Sequence, residues 1–317
     1  MQAVILAAGK GSRLQSIATD RSKAMLPILG KPIVERLIEQ LIANGIHDLI
    51  LVISPQDRHI ARYFNHESRL TADIRFAYQP QRKGMADALR WAAPLIEGDF
   101  VLSACDNLTS PEHIGLMLQS WQEEPRANAI LTLMHMPAEA LSSTGVVVMQ
   151  GQQVIRIVEK PSPGQAPSDI ASLPLYLFSP AILEYLEEVQ PSARGEYELQ
   201  DAIQMLIDRQ GNVNGLLTDQ RLTLTNPADL LSINRHYLLS GNETAQIQPH
   251  TVGVNTHLIT PLYIEQGVQI GSNCIIGPNA YIERDCCIGD GVLVRDSVIL
   301  RETDIPSGDH VIDQVLS

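Results

Sequence analysis

Met1-Gln-Ala-Val-Ile-Leu-Ala-Ala-Gly9-Lys-Gly11-Ser-Arg13-Leu14 opens the chain with an unbroken apolar run that ends in a glycine-spaced, cationic loop. Ala3 to Ala8 contains no polar residue, the pattern of a strand covered on both faces by helices. Gly9 and Gly11 can take backbone angles closed to other residues and turn consecutive amides toward one anion. Arg13 and Lys23 add a forked and a point-like cation. The loop therefore reads as a phosphate site, with a plain strand-to-loop turn as the alternative. Gly9-Lys-Gly11-Ser-Arg-Leu14 lacks the third glycine of G-x-G-x-x-G, and G-x-x-x-x-G-K-[ST] is absent.

Outward from this stretch, short apolar strands alternate with amphipathic segments up to about Ser240, which predicts a mainly parallel sheet. Ile33, Leu37, Ile38, Leu41 and Ile42 mark a helix face closed by Gly45. The pattern then gives strand 49–53, a helix near 56–64, strand 74–78, a helix over 85–96 and strand 100–104. Strands follow at 130–136, 145–149, 154–158 and 171–178, with closing helices near 180–188, 198–209 and 227–239. Strand ends on one side of such a sheet are candidate ligand positions.

Beyond about Gly241 the period changes. Val252, Leu258, Ile264, Ile270, Ile276, Ile282, Ile288, Val294 and Leu300 fall six residues apart, and Leu262, Val268, Cys274, Ala280, Cys286, Val292 and Val298 lie four residues after most of them. This hexapeptide repeat is the sign of a parallel β-helix of about three coils, with Cys274 and Cys286 inside it. The expected domains are 1–240 and 241–317.

The chain has 317 residues, is 44% hydrophobic and carries a net charge of −13. That charge argues against nucleic acid and anionic membranes as partners. An anionic small substrate must meet a local cluster, for which Lys10, Arg13, Arg21, Lys23 and Lys31 are available. Cys105, Cys274, Cys286 and Cys287 show no CxxC spacing. With no leader pattern and no span of membrane length, the expectation is a cytoplasmic protein with reduced thiols.

Gly9-Lys-Gly11-Ser12-Arg13-Leu14 with Ser22-Lys23-Ala-Met-Leu26-Pro27, then Gln79-Pro80 before Gly84-Met-Ala, Cys105-Asp106-Asn107, Gly145-Val-Val, Glu159-Lys160-Pro161, Leu175-Tyr176-Leu177-Phe178 and Gly195-Glu-Tyr-Glu198-Leu-Gln-Asp201 together resemble the sugar-1-phosphate nucleotidylyltransferases, the NDP-sugar pyrophosphorylases. The tail resembles the left-handed β-helix that some of them carry. The resemblance implies an α/β fold, a Rossmann-like mainly parallel sheet of the nucleotide-diphospho-sugar transferase type, with a short C-terminal left-handed parallel β-helix. It implies an enzyme joining an NTP (dTTP or UTP) to a hexose 1-phosphate (glucose 1-phosphate), with release of pyrophosphate.

In that scheme Arg13 and Lys23 are catalytic, and Leu6, Ala8, Gly9, Gly11, Ser12, Gln79 and Gly84 bind the nucleotide. Asp106, Gly145, Glu159, Lys160 and Tyr176 bind the sugar phosphate, and Asp106 also holds Mg2+. For each short motif a structural role alone remains open, as a strand end at Gln79, a turn at Asn107 or a solvated pair at Glu159-Lys160.

The chain departs from the family pattern at two places. The family's G-[IL]-Y reads Pro174-Leu175-Tyr176, and W-x-D-x-x-T-P-x-D-L reads Arg221-Leu-Thr223-Leu-Thr-Asn226-Pro227-Ala-Asp229-Leu230, with Thr223 where a second metal carboxylate belongs. Thr223 motivates a second reading, a non-catalytic sugar-nucleotide-binding or regulatory subunit. A third, an acyltransferase tail, has only His257 and His310 as candidate histidines once the repeat begins. The tail is expected instead to support the pocket or a homo-oligomer.

Overall fold

The apolar opening forms β1 (Gln2–Leu6), buried along its whole length. With β2 (Asp48–Ile53), β3 (Asp73–Tyr78), β4 (Phe100–Ala104), β5 (Ala129–His135), β6 (Gly145–Gln150), β7 (Gln153–Glu159), β8 (Ile170–Phe178) and β9 (Val213–Leu217) it makes one nine-stranded sheet, ordered β3-β2-β1-β4-β8-β5-β9-β7-β6. The edge from β3 to β4 is wholly parallel. Antiparallel pairs enter at β8, which lies between β4 and β5. Pro174 falls where the register of β8 against β5 shifts, between Leu173 and Tyr176. A residue without an N–H is tolerated at such an irregularity.

The computed structural model describes residues 1–9, 11–18, 21–123, 126–241 and 246–317. Two compact units are formed, Met1–Lys10 with Leu37–Arg221, and Gly11–Arg36 with Leu222–Ser317. Lys10, singled out above as a cation of the loop, lies outside the described residues.

The helices are α1 (Ile33–Ala43), α2 (Arg58–His66), α3 (Met85–Ala92), α4 (Pro111–Trp121), α5 (Ala138–Leu141), α6 (Leu199–Arg209) and α7 (Pro227–Ser240). In the first unit, Ala86 and Leu89 of α3 and Ile203 and Leu206 of α6 share one core with Val4, Ile50, Phe100, Leu131, Tyr176 and Phe178 of the sheet. The helix expected over 85–96 ends at Ala92 and continues as a 3-10 turn containing Pro94. Residues 180–188 also take the 3-10 form. Three of these elements had no counterpart in the sequence reading, the one-turn α5 among them. Ser110 caps α4 by accepting from His113 N at 3.2 Å. β9 carries Gly215, where an added Cβ would collide with Leu133 and Met149.

In the second unit, the described residues of 11–36 form only the 3-10 turns Ser12–Leu14 and Lys23–Met25, the short pair Pro27–Ile28 with Lys31–Pro32, and the start of α1. α7 begins with a capping box between Asn226 and Asp229 and ends at Gly241, in the left-handed region with φ 69. The tail is a parallel β-helix of three sheets with four strands each. It therefore has four levels rather than the three expected. Ile264 stacks under Ile282 after eighteen residues, but Ile282 stacks under Ile299 after seventeen. One residue is lost from the repeat after Val294, so Ile299 occupies the stacking position expected of Leu300. The corners are turned by Asn255, Asn273, Asp285 and Asp296, all with φ between 50 and 59. Cys274 and Cys286 are interior, Cys105 is buried and Cys287 exposed, and none of the four forms a disulfide. Burial pushes the Cys286 thiol up to about 12.

The interior runs from Leu262 and Ile264 to Val311, whereas Val252, at the open first level, is 44% exposed. No described helix is long and apolar enough to cross a membrane. Ile282→Ala should destabilise the tail by about 2–5 kcal/mol in chemical denaturation, whereas Val252→Ala should change it by less than about 0.5 kcal/mol.

Candidate active site

After β1 the chain builds β2 and β3 to one side, then returns to lay β4 on the other. Neighbouring strands that send their connections in opposite directions leave a crevice at their carboxyl ends. Ala7 N donates to Val52 O at 2.8 Å and Cys105 N to Leu6 O at 3.1 Å, so the residues after β1 and β4 are held side by side. Leu6 and Ala8 are 9% and 4% exposed, which leaves backbone rather than side chain to present. Gly9 is exposed, and a Cβ added there would meet nothing within 4 Å. Asp106 is half-buried at the end of β4. The side chain of Asn107 is buried; its Oδ1 accepts from Arg221 Nε at 3.1 Å, and its Nδ2 has no partner.

The expected base-binding segment is tied to this corner by Arg82, whose Nε donates to Ala8 O at 2.6 Å. Gln79 is 3% exposed, and its Nε2 donates to Asp87 Oδ2 at 2.8 Å and to Gly84 O at 3.2 Å. Gly84 has φ 99, and a Cβ there would lie 2.5 Å from Tyr197 O. Only glycine fits against that backbone. Tyr197 N donates to Lys83 O and Ala86 N to Tyr197 O, locking residues 83–86 onto the Gly195–Asp201 segment.

On the other side of the first unit, Gly145, Glu159, Lys160, Tyr176 and Gln200 gather. A Cβ on Gly145 would lie 3.2 Å from both Glu159 Oε2 and Gln200 Cγ. Tyr176 is fully buried; its hydroxyl bonds Ser172 Oγ at 2.9 Å and the side chain of Gln200, and burial raises its pKa. Lys160 Nζ lies 3.3 Å and Arg194 Nη2 3.7 Å from Glu159 Oε1. Arg194 also pairs with Glu198 at 2.7 Å. Glu159 Oε2 is buried without a hydrogen-bond partner. Burial pushes the Glu159 carboxyl upward; Lys160 opposes this, and Glu198 adds to it. A groove of about 650 Å³ opens here, lined by Glu159, Ser192, Arg194, Glu198 and Asp201 among others.

In the second unit, Gly11 sits in the left-handed region at φ 62, and a Cβ there would lie 2.9 Å from Lys23 Cβ. The close approach of Lys23 to the loop thus depends on glycine. Leu14 N donates to Gly11 O at 2.8 Å, forming the 3-10 turn that carries exposed Ser12 and Arg13.

Arg82, Arg194, Gln200 and Arg221 were not singled out from sequence. Gln200 and Arg221 nonetheless lie inside the quoted motifs, Arg194 directly precedes one of them, and Arg82 sits between Gln79-Pro80 and Gly84. Among the described residues no group of three or more His, Cys, Asp or Glu could hold a metal ion by itself.

A family model described as nucleotidyl transferase matches residues 2–238, and one described as the GMPPB C-terminal domain matches residues 258–317. A UTP–glucose-1-phosphate uridylyltransferase, AglF of Haloferax volcanii, is 34% identical over 231 residues, covering 72% of this chain and 93% of that protein. A glucose-1-phosphate thymidylyltransferase of Streptomyces griseus is 29% identical over 331 residues, covering 96% and 88%. The bifunctional protein GlmU of Methanococcus maripaludis is 29% identical, covering 100% and 77%. A UDP-glucose pyrophosphorylase crystallised with UDP-glucose shares the fold, with a TM-score of 0.68 at 23% identity over 75% of this chain and 98% of that one.

The raised Glu159 carboxyl has a signed consequence. Its penalty is absent while the group is neutral, below the ordinary value of 4.5, and grows as pH rises through the folded value. Glu159→Gln should therefore melt above wild type at pH 7.5, with the difference closing near pH 4, in thermal melts across pH.

Proposed function

The chain belongs to the nucleotidyl transferase family, and we propose that it transfers the nucleotidyl group of UTP or dTTP to a hexose 1-phosphate, glucose 1-phosphate first among them, forming an NDP-sugar. The relatives named for uridylyl and thymidylyl transfer support this choice of substrates. The observation that carries the reading is the loop after β1. Gly11 is held in the left-handed region, Lys23 is packed onto it, and Arg13 is exposed on the turn that follows.

An oxygen of the sugar phosphate attacks the α-phosphorus in line. The new P–O bond forms as the bond from Pα to the β-phosphate oxygen breaks, and pyrophosphate leaves with the electron pair. The attacking oxygen is already anionic, so no general base is needed, and catalysis rests on alignment and charge neutralisation. Arg13 neutralises the departing β,γ-phosphates, and Lys23 steadies the α-phosphate and the incoming sugar phosphate. Leu6, Ala8, Gly9, Gly11 and Ser12 offer backbone to the nucleotide, with Gln79 and Gly84 at the base. Gly9 supports this, because neither crowding nor a positive φ demands a glycine there.

Glu159 Oε2, buried and unpartnered, supports a role accepting from sugar hydroxyls beside Gly145. Lys160 and Arg194 supply the charge for the sugar phosphate. Tyr176, being fully buried, acts through Ser172 and Gln200 beneath the sugar.

Enzymes of this family generally use a divalent metal ion. The half-buried carboxylate of Asp106 at the end of β4 fits Mg2+, which one or two carboxylates hold together with substrate phosphates and water. When bound, the ion would offset charge on the α-phosphate. Thr223 keeps one second reading in view, a subunit that binds both substrates without releasing pyrophosphate. The exposed tail residues Val254, Ile259 and Ile275 support self-association.

Arg13→Ala should lower kcat for pyrophosphate release by about 100- to 1000-fold and leave the melting temperature unchanged. Release at the wild-type rate would contradict the assignment.

A further inference from the structure

Residues 11–36 carry Arg13 and Lys23, yet the segment has little regular structure of its own to fix them. Within the second unit it is anchored by α7, where Asn234 Oδ1 accepts from Leu29 N at 2.9 Å and Asn234 Nδ2 donates to Pro27 O at 3.2 Å, and nearer Lys23 by the tail. Arg21, two residues before Lys23, meets Glu283 fork to fork, with Nη1–Oε1 2.5 Å and Nη2–Oε2 2.7 Å. Both side chains are 7% exposed. Glu283 Oε2 also accepts from Arg301 N at 2.9 Å, which fixes its plane. Further along, Gly30 N donates to the hydroxyl of Tyr281 at 3.3 Å, and that hydroxyl donates to Glu265 Oε1 at 2.5 Å. Tyr281 is fully buried, and Gly30, at φ 80, leaves room for the Tyr263 hydroxyl 3.0 Å from where a Cβ would stand. The last residue reaches back as well, with Ser317 Oγ donating to Ser16 O at 3.1 Å.

Stability alone is a poor explanation for a pair this dry. Desolvation of a buried ion pair offsets most of its Coulomb gain, and what remains specific is orientation. The pair joins residues 262 apart in sequence, so it can set a loop that local propensity leaves undetermined. Lys23 in turn packs on Gly11, which carries the placement on to the turn holding Arg13.

We propose that the β-helix is a positioning element of the reaction, in which Glu283 and Tyr281 grip the 11–36 segment and hold Arg13 and Lys23 in place without touching substrate. The catalytic part of this inference rests on the nucleotidyl-transfer reading. The grip itself does not.

The test compares Glu283→Gln, Tyr281→Phe and a control, Ser297→Ala, a buried tail position whose hydroxyl donates to Arg295 O and Val311 O and accepts from Gln314 N, all within the tail. Hydrogen exchange by mass spectrometry reads the grip directly. Glu283→Gln should speed exchange across 11–36 by about tenfold or more while 37–221 stays unchanged. It should lower kcat by about tenfold and move KM for the NTP by less than about twofold. In an Arg13→Ala background the same change should cost less than about twofold, because the loss passes through Arg13. Ser297→Ala should lower the melting temperature and keep kcat within about twofold of wild type.

Unchanged exchange over 11–36, or losses that multiply in the double variant, would overturn the proposal. If Glu283→Gln fails to fold, Tyr281→Phe, which removes one hydroxyl and keeps the ring, makes the same comparison. An inactive wild type would sink the nucleotidyl-transfer reading alone, since the exchange data judge the grip without turnover.

Discussion

The reversal of winding between β1 and β4 is the constraint on which the first unit depends. Parallel strands wound one way leave no gap at their carboxyl ends, whereas a reversal must leave one. Cys105 N bonded to Leu6 O fixes the two lips of that gap, and Arg82 on Ala8 O joins the segment that begins at Gln79. From there the bonds between residues 83–86 and Tyr197 lead to Glu198, Arg194 and Glu159. The corner after β1 and the groove at Glu159 are thus parts of one connected framework within this unit. Displacement at either would be felt at the other.

Charge sets the second requirement. A chain of net charge −13 repels nucleotides at long range. That repulsion is screened within about 8–10 Å at physiological salt. Contact cations then decide binding, and a fixed charge pair partly removed from water is worth several times its value in bulk. Such gains need cations held in place, which is why the backbone of residues 11–36 matters as much as its side chains. Gly11 admits Lys23, and the buried fork between Arg21 and Glu283 gives the segment an anchor that its own turns lack.

The parts of the fold with strong periods were legible in the sequence. Apolar runs announced β1, β2 and β4, and the six-residue spacing announced the β-helix. The shortened repeat after Val294 was hidden because Val298, Ile299 and Leu300 are all apolar, so either frame satisfies the pattern until strand pairing chooses one. α4 was missed because His113, Gly115 and Gln119 blur its apolar face, although Ser110-Pro111 was a start signal. β9 was missed because five residues containing a glycine and an asparagine carry little strand signal. At the candidate site, the motifs pointed to Gly11, Lys23, Gln79 and Glu159. They gave no role to Gln200 and Arg221, which they contain, or to Arg82, because the partners of these side chains lie far along the chain, and they could not show the grip of Glu283 on Arg21.

The central claim is that a nucleotidyl group passes directly from an NTP to a sugar phosphate. It is tested most directly by incubating the full chain and Mg2+ with UTP or dTTP labelled at the α-phosphorus, in the presence of glucose 1-phosphate, and separating the products. Direct transfer should place the label in a nucleoside diphosphate sugar, with one pyrophosphate released per molecule formed. Label that stays in the nucleotide with every hexose 1-phosphate offered, while both substrates still bind, would contradict it.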